Sequence, residues 1–226
     1  MLLLALDSST PWVTVALAEV GPDGSARVVA EHADDAGNRH GELLAPAIAR
    51  VLVSAGAAPA DLGAVACGLG PGPFTGLRVG IVTAASMADG LGIPSYGVCS
   101  LDALALAHRG KNGALLTVTD ARRKQVYWAR YDADGRRIEG PEVSAPADVS
   151  GAIQGETVVG AGALQWADAF APHRVDGTDP WPQASMVAAL AAERAAARAP
   201  GEQLAPMYLR RPDARPPTSL KAVTPR

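Results

Sequence analysis

Apolar residues run unbroken from Leu2 to Leu6 and stop at Asp7, where Ser8-Ser9-Thr10-Pro11 follows. A run this short, closed by an acid and turn-forming residues, predicts a buried strand rather than a helix. Residues 12–20 form a second β-rich stretch, Gly21-Pro22-Asp23-Gly24 a turn, and residues 26–32 a third strand, so the chain opens as an antiparallel meander. After a polar loop at 34–38 the period lengthens. Leu43, Leu44, Ala47, Ile48, Val51 and Leu52 share one face of a helix that starts at His40 and ends before Gly56. The first half is completed by a buried strand at 63–69, a Gly/Pro loop, a helix over about 75–91, a strand at 94–99 and a helix capped by Ser100 that reaches about His108. The order is βββαβαβα.

The pattern then starts again. Leu3-Leu4-Ala5-Leu6-Asp7 matches Leu116-Thr117-Val118-Thr119-Asp120, and six residues after each Asp a new strand opens, at Val13 and at Val126. Each second strand ends in an Asp-Gly turn, Asp23-Gly24 and Asp134-Gly135, and a third strand follows. Three coincidences in register imply an internal duplication of one α/β unit, with a first subdomain at 1–109 and a second at 110–226. The second half is less regular. It offers a strand and turn at 155–162, an Ala-rich helix at 183–199 and a Pro/Arg-rich tail from Pro206, expected to be irregular and mobile.

Composition refines this picture. The 226 residues suffice to bury a real core, but only ten are aromatic while Ala contributes 46, so the core must rest on Ala, Val and Leu with elements in close approach. A formal net charge of −3 argues against holding nucleic acid by a broad basic surface alone. No stretch reaches the roughly 18 unbroken apolar residues of a membrane span. Met1 to Leu6 runs into Asp7 without a basic leader segment, and a cytoplasmic protein is expected. Cys67 and Cys99 form no Cys-x-x-Cys pair and read as buried, reduced thiols.

Candidate chemistry is sparse. The loop from Gly68 to Gly76 joins a strand to a helix, where glycines and a helix N-terminus suit a phosphate, but it lacks the Gly-Lys-Ser/Thr ending of a P-loop, and Pro71 and Pro73 remove two donors. A rigid packing turn is the competing account. Asp7, at the C-terminal end of the first strand, could hold a hydrated Mg²⁺ or close the strand as an Asx-turn, and Asp120 has the same two readings. The four histidines, His32, His40, His108 and His173, make no ligand pair, and neither Cys has a neighbouring His.

Several segments together resemble the bacterial TsaB (YeaZ) family, often grouped with glycoprotease-like or M22-peptidase-like proteins. They are the opening Leu6-Asp7-Ser8-Ser9-Thr10, His40-Gly-Glu-Leu-Leu-Ala-Pro46, Gly70-Pro-Gly-Pro-Phe-Thr-Gly-Leu-Arg-Val-Gly80, the stretch from Gly97 to Ala105, Asp120-Ala-Arg122 and Pro206-Met-Tyr-Leu-Arg210. Pro73 stands where the family usually has Ser. The resemblance implies a duplicated actin/Hsp70-like fold (ASKHA, ribonuclease-H-type, βββαβα units). It also implies a role in making threonylcarbamoyladenosine at tRNA position 37. In that system the related TsaD transfers the threonylcarbamoyl group using a metal and ATP, TsaB is its non-catalytic partner, and TsaE is an ATPase that joins them. TsaD-like proteins carry Asn-His-Leu-Glu-Gly-His at the strand-to-helix step. Here the stretch is Cys99-Ser100-Leu101-Asp102-Ala103-Leu104, with Ser100 and Leu104 in the ligand places, which removes the metal site and any basis for a peptidase.

The resulting expectation is a pseudo-enzyme scaffold without cofactor or metal. Asp7, Gly70, Gly72 and Thr75 are expected to mark a vestigial nucleotide site. Gly76, Gly80, Ala84 and Ala88 recur at four-residue steps, and with Leu43, Leu44 and Ala47 of the preceding helix they are expected to face the TsaD-like partner, or a second copy in its absence. Contact with tRNA is expected to be indirect or weak. The alternative is an ASKHA-type small-molecule kinase using Asp7 and Mg-ATP.

Overall fold

In the computed structural model, which describes residues 1–110 and 113–210, the opening meander consists of β1 (Leu2–Asp7), β2 (Trp12–Val20) and β3 (Ala26–Asp35). The third strand continues past its expected end at His32, because Ala33, Asp34 and Asp35 pair with Thr14, Val13 and Trp12. These acids sit on an edge strand, where charged side chains remain in water. There follow α1 (His40–Ser54), β4 (Leu62–Gly68), α2 (Phe74–Leu91), β5 (Ser95–Val98) and α3 (Ser100–His108). The second half comprises β6 (Leu115–Asp120), β7 (Val126–Tyr131), β8 (Arg137–Ser144), α4 (Pro146–Gly151), β9 (Thr157–Val159), α5 (Ala161–Gln165), α6 (Ala167–Phe170), β10 (Val175–Asp176) and α7 (Ala184–Ala196).

The two five-stranded sheets have the same order, β3-β2-β1-β4-β5 and β8-β7-β6-β9-β10. In each, the first two pairings are antiparallel and the last two parallel. The Asp-Gly turns match as well. Gly24 and Gly135 lie at φ 78° and 77°, a left-handed conformation that an ordinary side chain resists. The repeat seen in the sequence is therefore a repeat in space.

Packing crosses the boundary between the repeats. One face of the first sheet is covered by α1 and α2, with Leu4, Leu6, Leu44, Ile48, Leu77 and Ile81 in one core. Its other face receives α7, whose Ala184, Ala188, Ala191 and Ala195 lie on Leu3, Ala5, Ala16 and Ala18. In return α3, from the first half of the chain, places Leu101, Leu104 and Ala105 in the core of the second sheet with Tyr127, Tyr131 and Val159. Each half thus lends a helix to the other, and alanine at the contacts permits the close approach that the composition required. Trp12 and Trp181 stack at 3.8 Å, and the Thr14 hydroxyl donates to the Pro182 carbonyl at 3.0 Å, tying the halves a second time.

The segment that follows α7 is fastened rather than loose. The Glu202 amide donates to the Ser95 carbonyl at 2.8 Å, its carboxylate accepts from the Gly97 amide at 3.0 Å, and the Met207 amide donates to the Leu69 carbonyl at 2.8 Å. Met207 and Leu209 pack on the second core. The expected irregular tail is thus a strap as far as Arg210; its remainder lies outside the described residues.

One expectation is corrected here. Gly76, Gly80, Ala84 and Ala88 are all buried, as are Leu44 and Ala47, with Leu43 half-buried. The small-residue stripe lies against this chain's own sheet and opening turn, so it is core rather than surface. Ala84 has no exposed area, and Ala84→Arg is expected to lose about 3 kcal/mol or more. A thermal melt should show a midpoint lowered by about 10 °C; an unchanged melt would place α2 differently.

Candidate functional site

The C-terminal end of β1 meets the start of α3 and the glycine loop. Asp7 accepts through Oδ1 from the Ser9 amide at 2.8 Å and the Ser9 hydroxyl at 2.7 Å, which is an Asx-turn closing the strand. Its Oδ2 accepts from the Ser100 hydroxyl at 2.5 Å. Ser100 Oγ in turn accepts from the Gly70 amide at 3.1 Å, while the Ser100 amide donates to the Gly70 carbonyl at 2.8 Å. Ser100 is therefore not the helix cap expected; it is the first helical residue, and its hydroxyl serves Asp7. The repeat position behaves alike, with the Arg122 amide donating to Asp120 Oδ1 at 3.0 Å.

Glycines seal this network. A Cβ on Gly68 would lie 1.8 Å from Asp7 Oδ2, and one on Gly72 would lie 2.2 Å from the Ser9 carbonyl oxygen. The loop backbone thus packs directly on the end of β1, with no room for a side chain at Gly68 or Gly72. Asp7 is 1% exposed. Burial pushes its carboxyl above the ordinary value of 3.8, and the hydrogen bonds from Ser100 and Ser9 draw it back only in part. Of the four residues expected to mark a nucleotide site, Asp7, Gly70 and Gly72 lie inside this sealed network. Thr75 alone among them opens onto a cavity.

Ser8 explains Gly76 and Gly80 of α2. Its hydroxyl donates to the Gly76 carbonyl at 2.8 Å and accepts from the Gly80 amide at 3.1 Å, inserting beside the helical ladder. A Cβ on Gly80 would lie 2.3 Å from Ser8 Oγ. His40, at the start of α1, donates through Nε2 to the Thr10 carbonyl at 2.7 Å and its ring covers Gly76. The four-residue spacing signalled this close approach but not its partner, the turn at Ser8.

Between the halves lies a cavity of about 360 Å³, lined by Ser8, Thr10, Asn38, His40, Thr75 and, from the second half, Arg122, with adjoining loop residues. A larger depression of about 990 Å³ sits at the opposite end of the first sheet and is walled largely by alanine, proline and aliphatic side chains; of the sequence candidates it is lined by Ala88 alone. Both thiols are buried and held in the protonated form. Burial raises Cys67 well above its ordinary value and pushes Cys99 up to about 11. Among the described residues no three His, Cys, Asp or Glu side chains gather as a metal site.

A family model described as "TsaD: tRNA N6-adenosine threonylcarbamoyltransferase" matches residues 30–214. The chain is 36% identical over 178 residues to the tRNA threonylcarbamoyladenosine biosynthesis protein TsaB of Escherichia coli, a match covering 74% of each chain. It is 43% identical over 215 residues to an uncharacterized protein of Mycobacterium tuberculosis, covering 95% of this chain and 94% of that one. Among solved structures, YeaZ from Pseudomonas aeruginosa superposes with a TM-score of 0.75 at 29% identity, over 92% of this chain and 99% of that one. The ethanolamine utilization protein EutJ from Carboxydothermus hydrogenoformans shares the fold alone, with a TM-score of 0.52 at 13% identity over 83% and 88% of the two chains. The duplicated βββαβα arrangement is of the actin/Hsp70-like, ASKHA type.

Because folded Asp7 keeps its proton to higher pH than in the unfolded chain, stability should rise as pH falls from its raised value toward 3.8 and be lost as pH climbs back. Asp7→Asn should flatten that part of a stability-versus-pH curve measured by urea unfolding; a retained slope would assign it to another group. Ser100→Ala strands the Gly70 amide and one carboxylate oxygen and should cost about 1–3 kcal/mol at neutral pH.

Proposed function

The chain belongs to the TsaB (YeaZ) family, and from that premise we propose that it serves threonylcarbamoyladenosine formation at tRNA position 37 as the non-catalytic partner of a TsaD-like transferase. The observation that carries this reading is the closure over Asp7. Ser100 and Leu104 stand where TsaD-like proteins hold a metal through histidine. Here the Ser100 hydroxyl is engaged by Asp7 and the Gly70 amide, and Leu104 is wholly buried in an apolar core. These residues do not fit a metal, so no step is routed through one. The kinase alternative needs Asp7 open to Mg-ATP, and both of its oxygens already accept hydrogen bonds from neighbouring residues.

With the small-residue stripe buried, the surface left for a partner is the outward side of the same two helices. Ala45, Ala49 and Val53 of α1, and Val82 and Ala85 of α2, are all exposed. Val53 is 79% and Val82 61% accessible, and with the exposed alanines they give the two helices an apolar outer side that a partner can cover. This face would receive the TsaD-like protein, or a second copy when that protein is missing, and a TsaE-like ATPase would join the assembled pair. No described helix is long and apolar enough to cross a membrane.

Val53→Glu with Val82→Glu tests the surface. Both sites are solvent-exposed, so the melting midpoint should stay within about 2 °C. Affinity for the TsaD-like partner, measured by titration calorimetry, should fall at least tenfold. Pairing at wild-type strength would move the interface to another face.

A further inference from the structure

The C-terminal ends of the two sheets gather cations outside the face proposed for the partner, among them Arg122, whose Nε also pairs with Asp120 Oδ2 at 3.5 Å. Between β6 and β7, Arg122, Arg123 and Lys124 follow one another at φ 60°, 52° and 60°. Three successive bulky residues in the left-handed region form a conformation that local sequence does not favour. The Asp120 carboxylate fixes the turn through the Arg122 amide, and the Gln125 amide closes it on the Arg122 carbonyl at 3.0 Å. All three cationic residues are exposed.

More basic groups adjoin this turn. Arg210 of the strap donates to the Arg122 carbonyl at 3.3 Å and to the Gln125 side chain. Two residues earlier, Tyr208 accepts from Arg78 Nε at 2.7 Å, and the Arg78 guanidinium lies 3.5 Å over the Phe74 ring. Arg39 is exposed and follows Asn38, which lines the cleft cavity. The residues lining that cavity include Arg122 and several hydroxyl and amide groups but no Asp or Glu. In a chain of net charge −3 this concentration is local.

We infer that this rim, Arg39, Arg78, Arg122, Arg123, Lys124 and Arg210, holds the phosphate backbone of an RNA strand, with the cleft cavity seating one phosphate. The inference rests on the tRNA reading above and adds a direct contact to it. A single small anion in the cavity would meet Arg122 and leave the rest of the rim idle, whereas phosphates repeated along a strand engage the whole turn. Tyr208, 41% exposed and stacked on Phe74 at 5.0 Å, offers ring surface to an unpaired base beside the cations.

The test is fluorescence anisotropy of a fluorescein-labelled tRNA anticodon stem-loop titrated with the full chain over a range of KCl. The variant carries Arg122→Asn, Arg123→Asn and Lys124→Asn together, since asparagine accepts the left-handed conformation. Wild-type binding should weaken steeply with salt. The variant should bind at least tenfold more weakly, with a slope of log affinity against log salt shallower by about two. A wild-type chain that does not bind the stem-loop, or a variant that matches it in affinity and slope, would overturn the inference. So would displacement of the RNA by inorganic phosphate or Mg-ATP at micromolar levels, which marks a small-anion site. A variant that keeps RNA binding but loses the TsaD-like partner would make the rim a protein contact instead. The RNA titrations use the isolated chain, so failure of pairing in the Val53/Val82 variant and failure here are distinguishable.

Discussion

The Ser100 hydroxyl, 2.5 Å from the Asp7 carboxylate, joins the first strand of one sheet to the first turn of the helix that fills the core of the other. Much of the arrangement around the cleft depends on that contact. It fastens the first residue of α3 to the end of β1. Through the Gly70 amide it also holds the glycine loop down over the strand end. A buried carboxylate requires such donors, and the three it has come from residues that leave no gap for a ligand.

The same end of the fold shows how two copies of a duplicated unit can diverge in their surroundings. Both repeats end their first strand in an Asx-turn, at Asp7 and at Asp120. In the first, the turn is buried under Gly72 and packed against α2 through Ser8. In the second, the turn projects Arg122, Arg123 and Lys124 outward. Identical local chemistry therefore yields a sealed core in one half and a cationic rim in the other, the difference being which elements lie on top. The helices α3 and α7, each lent across the repeat boundary, make the relative placement of the halves part of the core packing rather than a matter of a linker.

Much of this was legible in the chain. The period-two and helical patterns located the strands and helices of the first half, and the paired Asp and Asp-Gly positions revealed the duplication, because turn chemistry is local. Burial was harder to read. Gly76, Gly80, Ala84 and Ala88 announced a close approach, yet a stripe of small residues looks the same whether a partner or the chain's own turn fills it, and here Ser8 does. Asp7 offered a ligand or a turn, and only the position of Ser100, 93 residues away, decides between them. The docking of α7 on the first sheet and the strap at 201–210 depend on contacts between distant segments, which no periodicity encodes.

The central claim of the proposed function is that this chain acts by binding, through α1 and α2, and not through chemistry at Asp7. Hydrogen exchange measured on the chain alone, with its TsaD-like partner and with Mg-ATP tests that claim most directly. The account predicts slowed exchange across α1 and α2 with the partner, and no change at residues 68–76 or at Ser8 and Ser9 with Mg-ATP. Protection of residues 68–76 by Mg-ATP, with α1 and α2 unaffected by the partner, would contradict it.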